Sequence, residues 1–354
     1  MKVIEFGSEF DWEANYPFQT DKNNKYFDFY NMQAYRSGRD ALKAIAYSYK
    51  AQTKTVLLPA LCCESMVSPF LMNGYKPVFY KMNADYTVNV KDIENKIERD
   101  CLILYMSYFG VMPISVSQLM EWKKAFSPVF IEDRTHNILH KKEDSFIPDI
   151  TMASIRKWFA LPDGGILFAD KIFEAKPNSG LEFADLRLQA MKKKSKYLLE
   201  GGEDLKDEYR RLLTTASESL DKNIEHYEIS SFSKNLLSNI NFEKILLQRQ
   251  KNIRVLKSFL DIMVQQERIS YITDEPEKSA LYFPFLVKNR DALQEKLARE
   301  KIYCPVIWPV PQEAQGVCEI ADYTAKHMIA LPCDQRYDEK DMRYIGSTIM
   351  KLVD

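Results

Sequence analysis

The sequence predicts an α/β fold with a mostly parallel central sheet, followed by a small α+β domain. Between about residues 35 and 170, apolar runs such as VLLPA, LILYM and PVFI alternate with helical patterns, as expected for strands that helices cover on both faces. Residues 171 to about 260 lose the strand pattern and become helical. Strand-like ALYFPFLV and IYCPVIW then flank the helical RDALQEKLAREK, which is typical of an α+β unit.

Each element of the first region has its own pattern. SGRDALKAIAYSYK is helical, and TVLLPA is the first buried strand. Helical CESMVSPFLMNG and VKDIENKIERD enclose the strand-like KPVFYKM, and the alternation continues through CLILYMSYFG, SQLMEWKKAF, PVFIED, DITMAS and GGILFAD. We expect a large domain over 35–250 and a small one over 251–354, with the N-terminal segment 1–34 packing on the small domain.

Composition excludes several classes of function. The chain has 354 residues with 49 basic and 50 acidic side chains, so no net field favours nucleic acid or an anionic membrane. The run KKKSK at 192–196 is interpreted as a solvated helix face. No stretch approaches the ~20 apolar residues of a membrane span, and MKVIEFGSEFDWE lacks the apolar core of a secretion signal. Six cysteines without a CxxC pair predict reduced thiols and no metal site; we expect a cytoplasmic protein.

Polar residues follow several of the predicted strands. In an open α/β sheet, ligands bind beyond the carboxyl ends of strands, so these residues are candidates for a binding site: Ser37, Gly38, Arg39, Tyr108, Asp133, His136, Ser154 and Lys157. Lys157 precedes two aromatic residues, and an apolar pocket would lower its pKa towards the nucleophilic range. A helix beginning at SGRD offers free N–H groups to a phosphate. No dinucleotide or P-loop motif occurs.

Each candidate also has a structural interpretation. Lys157 could be a surface lysine, Asp133 could pair with Arg134, and His136 could be a hydrogen-bonded structural residue. Ser37 could be a plain helix cap. Arg39 and Arg156 could recognise a carboxylate or phosphate, or could form structural ion pairs; Trp308 could edge the pocket or belong to the core.

The order of the motifs provides a further indication. SGRDAL, LLPALCCESMV with NGYKPVFY, SYFG, IEDRTH, SIRKWFALPDGG, and RDALQEKLAREKIYCPVIWP with LPCDQRY resemble the DegT/DnrJ/EryC1/StrS family of aminotransferases. The resemblance covers roughly residues 35–170 and 280–340. It implies fold type I, the aspartate aminotransferase-like fold, and the cofactor pyridoxal 5'-phosphate.

The resemblance also implies roles for residues. Lys157 would form the internal aldimine and Asp133 would pair with the pyridine nitrogen, so both are expected to be catalytic. Ser154 and the backbone of Ser37, Gly38 and Arg39 would bind the phosphate, and His136 would lie near the ring. Cys63 occupies the position of an aromatic residue that stacks on the cofactor in many members of the family, and Tyr108 could take over that contact. Ser107 replaces a frequent histidine, and Asp163 alters the usual GEGG motif.

The implied reaction transfers an amino group from an amino acid such as glutamate to a keto group. The acceptor would be a sugar nucleotide or related metabolite, in polysaccharide biosynthesis. A homodimer with shared active sites is implied, with Ser231–Asn235 as a candidate contribution from the second subunit. The departures at Cys63, Ser107 and Asp163 bear on the substrate more than on the cofactor.

Three alternatives stay open. The chain could use the same cofactor in a lyase, decarboxylase or dehydratase reaction. It could be a catalytically degenerate member of the fold that only binds. It could also be a metal hydrolase built on Glu132, Asp133, His136 and His140, although no HExxH motif occurs.

Overall fold

The protein contains twelve strands and eleven α-helices within the residues that the structure describes. The structure is a computed structural model describing residues 3–14, 32–50, 52–140, 148–177, 182–222 and 224–353. The strands are β1 (Phe6–Gly7), β2 (Met32–Tyr35), β3 (Thr55–Pro59), β4 (Lys76–Tyr80), β5 (Leu102–Met106), β6 (Val129–Asp133), β7 (Ile150–Ala153), β8 (Gly165–Phe168), β9 (Ser270–Tyr271), β10 (Phe283–Leu286), β11 (Ile302–Tyr303) and β12 (Met328–Leu331).

The helices fill the intervals between the strands and form a helical region after β8. They are α1 (Gly38–Tyr49), α2 (Glu64–Met72), α3 (Val90–Glu94), α4 (Val116–Phe126), α5 (Glu182–Glu200), α6 (Glu203–Ser219), α7 (Ser231–Ser238), α8 (Phe242–Gln265), α9 (Arg290–Arg299), α10 (Glu319–His327) and α11 (Glu339–Leu352). The predicted loss of strand pattern after residue 170 is confirmed, because α5 to α8 follow one another without a named strand between them.

A seven-stranded sheet forms the centre of the fold, in the order β2-β8-β7-β6-β5-β3-β4. Strands β3 to β7 are parallel to one another, β8 is antiparallel to β7, and β2 is antiparallel to β8. Strands β3 and β5 carry continuous apolar runs that are almost wholly buried, because helices cover both faces of a parallel sheet. The predicted α/β class with a mostly parallel sheet is confirmed.

Gly165 brings the edge of this sheet against the start of α1. A Cβ atom at this position would lie 2.4 Å from the carbonyl carbon and oxygen of Ser37. Only glycine therefore permits this approach. Gly164 directly before it has a φ of +151°, and the pair turns the chain from Lys157 into β8.

A second, antiparallel sheet lies in the C-terminal part, in the order β12-β10-β9. Helices α8 and α11 pack on it through an apolar cluster that includes Leu256, Phe283 and Ile345. Strand β1 pairs in parallel with β11. Part of the N-terminal segment therefore packs against the C-terminal part of the chain. Residues 15–31 of that segment lie outside the described residues.

The KKKSK run within α5 is not uniformly solvated. Lys192 is exposed, but Lys194 is buried and bonds to Glu5 at 3.0 Å and to Ser8 at 2.8 Å. The prediction of a solvated face is therefore wrong for Lys194, which helps to hold the N-terminal segment. None of the helices described in the structure combines the length and apolar character needed to cross a membrane.

Candidate active site

The predicted site residues lie at the carboxyl edge of the central sheet. Met106, Asp133 and Met152 are cross-strand partners at the ends of β5, β6 and β7. The residues that follow these strands therefore emerge side by side. Strand β2 ends at the same edge and leads directly into α1 through Ser37.

A cleft at this edge brings most of the predicted residues together. The predicted residues among its lining are Ser37, Gly38, Arg39, Cys63, Asp133, Ser154 and Lys157. Thr135, Arg156 and Trp308 line it as well. His136 lies on the larger cavity that adjoins Lys157, whereas Tyr108 lines neither.

Lys157 ends a short 3-10 turn that begins at Ile155. Burial lowers the pKa of its side chain from 10.5, and the charges of Arg156 and Arg39 act in the same direction. The charge of Asp133 opposes this shift but does not cancel it. A larger share of the amine is therefore unprotonated, and nucleophilic, near neutral pH than in a solvated lysine.

Asp133 is a buried carboxylate at the end of β6. Burial raises its pKa, while hydrogen bonds from Thr135 and the charge of Lys157 act against that shift. The backbone N–H of Thr135 donates to Asp133 Oδ1 at 2.8 Å. A carboxylate in such a place favours a cationic partner in the cleft, as a protonated pyridine nitrogen would be.

Thr135 links several parts of the site, a role that the sequence analysis did not predict. Its hydroxyl accepts a hydrogen bond from the backbone N–H of Ser154 at 3.0 Å. Its carbonyl accepts one from Trp158 Nε1 at 2.7 Å. Thr135 therefore fixes Asp133 on one side and the turn carrying Lys157 on the other.

The start of α1 forms the other end of the cleft. Ser37 is the helix cap, since its hydroxyl accepts from the backbone N–H of Asp40 at 3.1 Å. Gly38 lies against Ser154, where an added Cβ would be 3.2 Å from the serine Cβ. The first N–H groups of a helix have no intrahelical acceptor, so this end of the cleft suits a phosphate. The side chain of Arg39 forms an exposed ion pair with Asp221 at 2.6 Å.

An aromatic stack forms the wall beside Lys157. The Trp308 ring lies 5.3 Å from the His136 ring in a stacked arrangement, and Lys157 Nζ lies 5.9 Å from the centre of the same indole. Burial and the charge of Lys157 lower the pKa of His136 well below 6.5, so the ring is neutral. Tyr108 lies edge-on behind Trp308 and its hydroxyl donates to the carbonyl of Leu61.

Cys63 lines the same cleft, as the residue before α2. Its Sγ lies 2.9 Å from the hydroxyl of Ser65. The aromatic surface next to Lys157 is thus provided by Trp308, from the segment after β11, and not at position 63. Asp163 lies in the core instead, where it accepts from the backbone and hydroxyl of Ser230, each at 2.7 Å.

A larger cavity of about 870 Å³ opens from Lys157 towards the N-terminal segment, α6 and the C-terminal part. This volume is in the range of pockets that hold small molecules. Its lining includes Glu9, His136, Arg156, Tyr282 and Trp308. The cavity gives a substrate direct access to the amine.

A buried arginine, Arg249, holds the turn that carries Lys157. Arg249 on α8 donates to the carbonyl of Trp158 at 3.0 Å, and Gln335 donates to the same oxygen at 2.9 Å. Arg249 Nε also donates to Gln335 Oε1 at 2.8 Å. The signal in the sequence was a charged residue at core spacing, because Arg249 lies four residues from both Ile245 and Ile253, which are buried.

Within the described residues, no three His, Cys, Asp or Glu side chains converge on a place that could hold a metal ion. His140 is partly buried and its Nε2 has no hydrogen bond. The geometry therefore gives no support to the metal-hydrolase alternative.

The protein is similar to known proteins in its fold, whereas its sequence matches none of the families or curated proteins compared. No family model matches the sequence, and no curated protein matches it. Among solved structures, PseC of Helicobacter pylori, an aminotransferase involved in the biosynthesis of pseudoaminic acid, is similar with a TM-score of 0.66 at 13% identity, over 99% of both chains.

Two further solved structures are similar in fold at low sequence identity. Spr1654 of Streptococcus pneumoniae, described as a sugar aminotransferase and solved in its PMP form, has a TM-score of 0.66 at 16% identity, over 100% of this chain and 98% of that one. A DegT DnrJ EryC1 StrS aminotransferase from Brucella abortus has a TM-score of 0.62 at 16% identity, over 91% and 86%. The chain therefore has the fold of these aminotransferases, which is the fold the motifs predicted.

Proposed function

We propose that the protein is a pyridoxal 5'-phosphate-dependent aminotransferase of the DegT/DnrJ/EryC1/StrS type. The observation that carries the proposal is the position of Lys157 in a cleft with the Asp133 carboxylate and the N-terminal end of α1. A flat, cationic ring with an anionic phosphate requires those two features at its two ends. The neighbouring folds, which include sugar aminotransferases, support the same interpretation.

Each residue has a role that follows from its environment. Asp133 would hold the positive charge of the pyridine nitrogen, and Ser154 with the backbone of Gly38 and Arg39 would hold the phosphate. The cofactor supplies an aldehyde and an electron-accepting ring. Lys157 would bind that aldehyde and, when released, would move a proton as general base. His136 and Trp308 would exclude water from one side of the site.

We propose an amino acid such as glutamate as donor and a keto group on a sugar nucleotide or related metabolite as acceptor. The 870 Å³ cavity beside Lys157 is large enough for such an acceptor. Spr1654, described as a sugar aminotransferase, provides a precedent for a sugar substrate on this fold. Polysaccharide biosynthesis is the proposed pathway class.

A homodimer with shared active sites is part of the proposal, and so is a cytoplasmic location. All six cysteines are free thiols, as is usual in a reducing compartment. Light scattering on the purified protein tests the dimer. Shared sites are tested by mixing Lys157→Ala with a variant of the Ser231–Asn235 segment, since two inactive chains regain activity only if each contributes to the other's site.

The cofactor is tested on purified protein incubated with pyridoxal 5'-phosphate. We expect visible absorbance, and after borohydride reduction a peptide containing Lys157 with the mass of the reduced adduct. Lys157→Ala should lack both, whereas Lys196→Ala, which removes an exposed lysine paired with Glu200, should keep both. The proposal is rejected if the protein remains colourless and Lys157 remains unlabelled.

The reaction type is tested by adding glutamate to the loaded protein. Transamination converts the visible band and yields 2-oxoglutarate, while a lyase or decarboxylase releases other products and keeps the cofactor in its starting form. A binding-only protein would show no conversion with any donor. A panel of keto-sugar nucleotides, offered to the aminated enzyme, then identifies the acceptor.

A further inference from the structure

The side chain of Arg156 carries a positive charge that no described residue neutralises directly. Its Nε atom is buried and makes no hydrogen bond, and the side chain lines both the cleft and the larger cavity. Arg156 is the residue directly before Lys157 in the same 3-10 turn. Arg156 is partly buried, and charged groups removed from water are normally paired, so this guanidinium at the cavity wall is placed to bind an anion.

The acidic groups nearby are already engaged. Glu9 is in an ion pair with Arg187 at 2.7 Å. Burial alone would raise the pKa of Glu9, but the charges of Arg187 and Arg156 lower it to about 2. Across the larger cavity, Asp334 accepts two hydrogen bonds from Arg336, each at 2.8 Å. The anion that completes Arg156 must therefore come from outside the described chain.

Arg156 keeps its charge in this setting. Burial and the charge of Arg187 lower its pKa to about 10, with Glu9 acting in the opposite direction, so the guanidinium is protonated at neutral pH. The partly buried Tyr282 lines the same cavity, and burial raises its pKa to about 12. Its hydroxyl is therefore neutral and does not repel an anion.

We infer that Arg156 binds the carboxylate of the amino donor, so that the donor is an α-amino acid held at two points of one turn. The inference rests on the proposed function. A planar guanidinium matches a carboxylate with paired hydrogen bonds. A molecule whose amine reacts at position 157 presents its carboxylate close by, and the neighbouring side chain on the turn is Arg156. The phosphate end of the cleft has its own donors, the α1 N-terminus and Ser154.

The test compares Arg156→Gln and Arg156→Lys with wild type as cofactor-loaded proteins. The two donors are L-glutamate and a simple alkylamine without a carboxylate. The reaction of each is monitored through the conversion of the visible absorbance band. For Arg156→Gln we expect the half-saturating glutamate concentration to rise roughly 10- to 100-fold, the loss expected for a charge-assisted pair. The alkylamine reaction should be unchanged, and Arg156→Lys should recover part of the loss.

The control variant is Arg343→Ala, which removes an exposed arginine paired with Glu339 on α11. Calorimetric binding of 2-oxoglutarate to cofactor-free protein supplies a second readout that needs no turnover. The two proposals can fail separately. If the wild-type protein never takes up the cofactor but binds 2-oxoglutarate, and Arg156→Gln loses that binding, the carboxylate site is supported and the proposed function is rejected. Thermal melting confirms that the variants fold; removal of a partly buried charge without an ion-pair partner should not lower the melting temperature.

Three results would overturn the inference. If Arg156→Gln weakens binding of pyridoxal 5'-phosphate and of inorganic phosphate but leaves glutamate saturation intact, the arginine serves the cofactor's phosphate. If only the acceptor half-reaction suffers, it serves an anion on the acceptor. Unchanged behaviour in all assays also rejects it.

Discussion

Two arginines belong to or contact the turn that carries Lys157, and they differ in how their hydrogen-bonding capacity is used: Arg156 is partly buried within the turn, and Arg249 on α8 is buried against it. Arg249 is wholly buried and donates to Gln335 and to the carbonyls of Trp158, Ala280 and Leu281. Arg156 has a buried Nε without any hydrogen bond. A buried cation whose donors are all occupied holds the structure together, whereas one whose donor is free is available to a ligand. We therefore call Arg249 and Gln335 the bracing wall, because they stabilise the Lys157 turn, and Lys157 and Arg156 the binding wall, because their side chains line the cavities.

The largest expected effect tests the binding wall at Lys157. Lys157→Ala should reduce turnover by about 10²–10⁴-fold or more, the range for a general base. The free energy of unfolding of the cofactor-free protein should not fall, because burial disfavours the ammonium that the variant removes. Saturating turnover assays and urea unfolding measure the two quantities. If Lys157→Ala loses stability but keeps turnover, Lys157 has a structural role and not a catalytic one.

The next effect tests the bracing wall. Arg249→Met should lower the free energy of unfolding by about 3–5 kcal/mol, since each buried acceptor left without a donor costs about 1–3 kcal/mol and the costs do not add fully. Urea unfolding measures the change. The surface variant Arg343→Ala provides the matched control and should change stability by less than about 1 kcal/mol. Comparable losses in the two variants would show that Arg249 braces nothing.

A smaller effect should come from Gln335, which shares the brace. Gln335→Leu removes one donor to the Trp158 carbonyl and the acceptor of Arg249 Nε, for a cost of about 1–3 kcal/mol. Combined with Arg249→Met, its additional cost should shrink, because both residues bind the same oxygen. A double-mutant cycle in urea measures this coupling, and strictly additive losses would mean that the two residues act separately.

The smallest effect is a pH dependence of stability, which we expect at His140. Burial, followed by the charge of Arg134, lowers the pKa of His140 from 6.5 to about 4. As the pH falls from 6.5 towards 4, the unfolded chain takes up a proton that the folded protein does not, so stability declines over that window. Melting temperatures across it should fall less steeply in His140→Gln than in wild type. An equal slope would place the titration elsewhere, as at His136, whose pKa shifts in the same direction.

The sequence predicted the sheet and the local parts of the site because both depend on short-range patterns. Lys157 and Ser154 lie three residues apart, and Asp133 ends a continuous apolar run. Such features follow from strand length and from the rule that ligands bind at the carboxyl edge. Their position together in one cleft agrees with what the motifs implied, and their roles stay predictions.

Interactions between distant segments escaped the sequence analysis. Trp158 and Gln335 are 177 positions apart, so no local period joins them. Trp308, which the sequence analysis named as a possible edge of the pocket, lies beside Lys157, whereas Tyr108 had been expected to take over the aromatic contact that Cys63 cannot make. Lys194 lay within a basic run, and only its spacing from the buried Ala190, Met191 and Tyr197 indicated that it faces inward.

The pairing of β1 with β11 has a consequence for how the protein is made. Phe6 pairs with Ile302, and the N–H of Gly7 bonds to the Tyr337 hydroxyl at 2.6 Å. On the ribosome the first strand must wait while nearly 300 further residues emerge, which takes roughly 15–60 s at ordinary synthesis rates. Throughout that interval the nascent chain carries an unpaired leading strand, and the pocket wall that it provides is among the last parts to form.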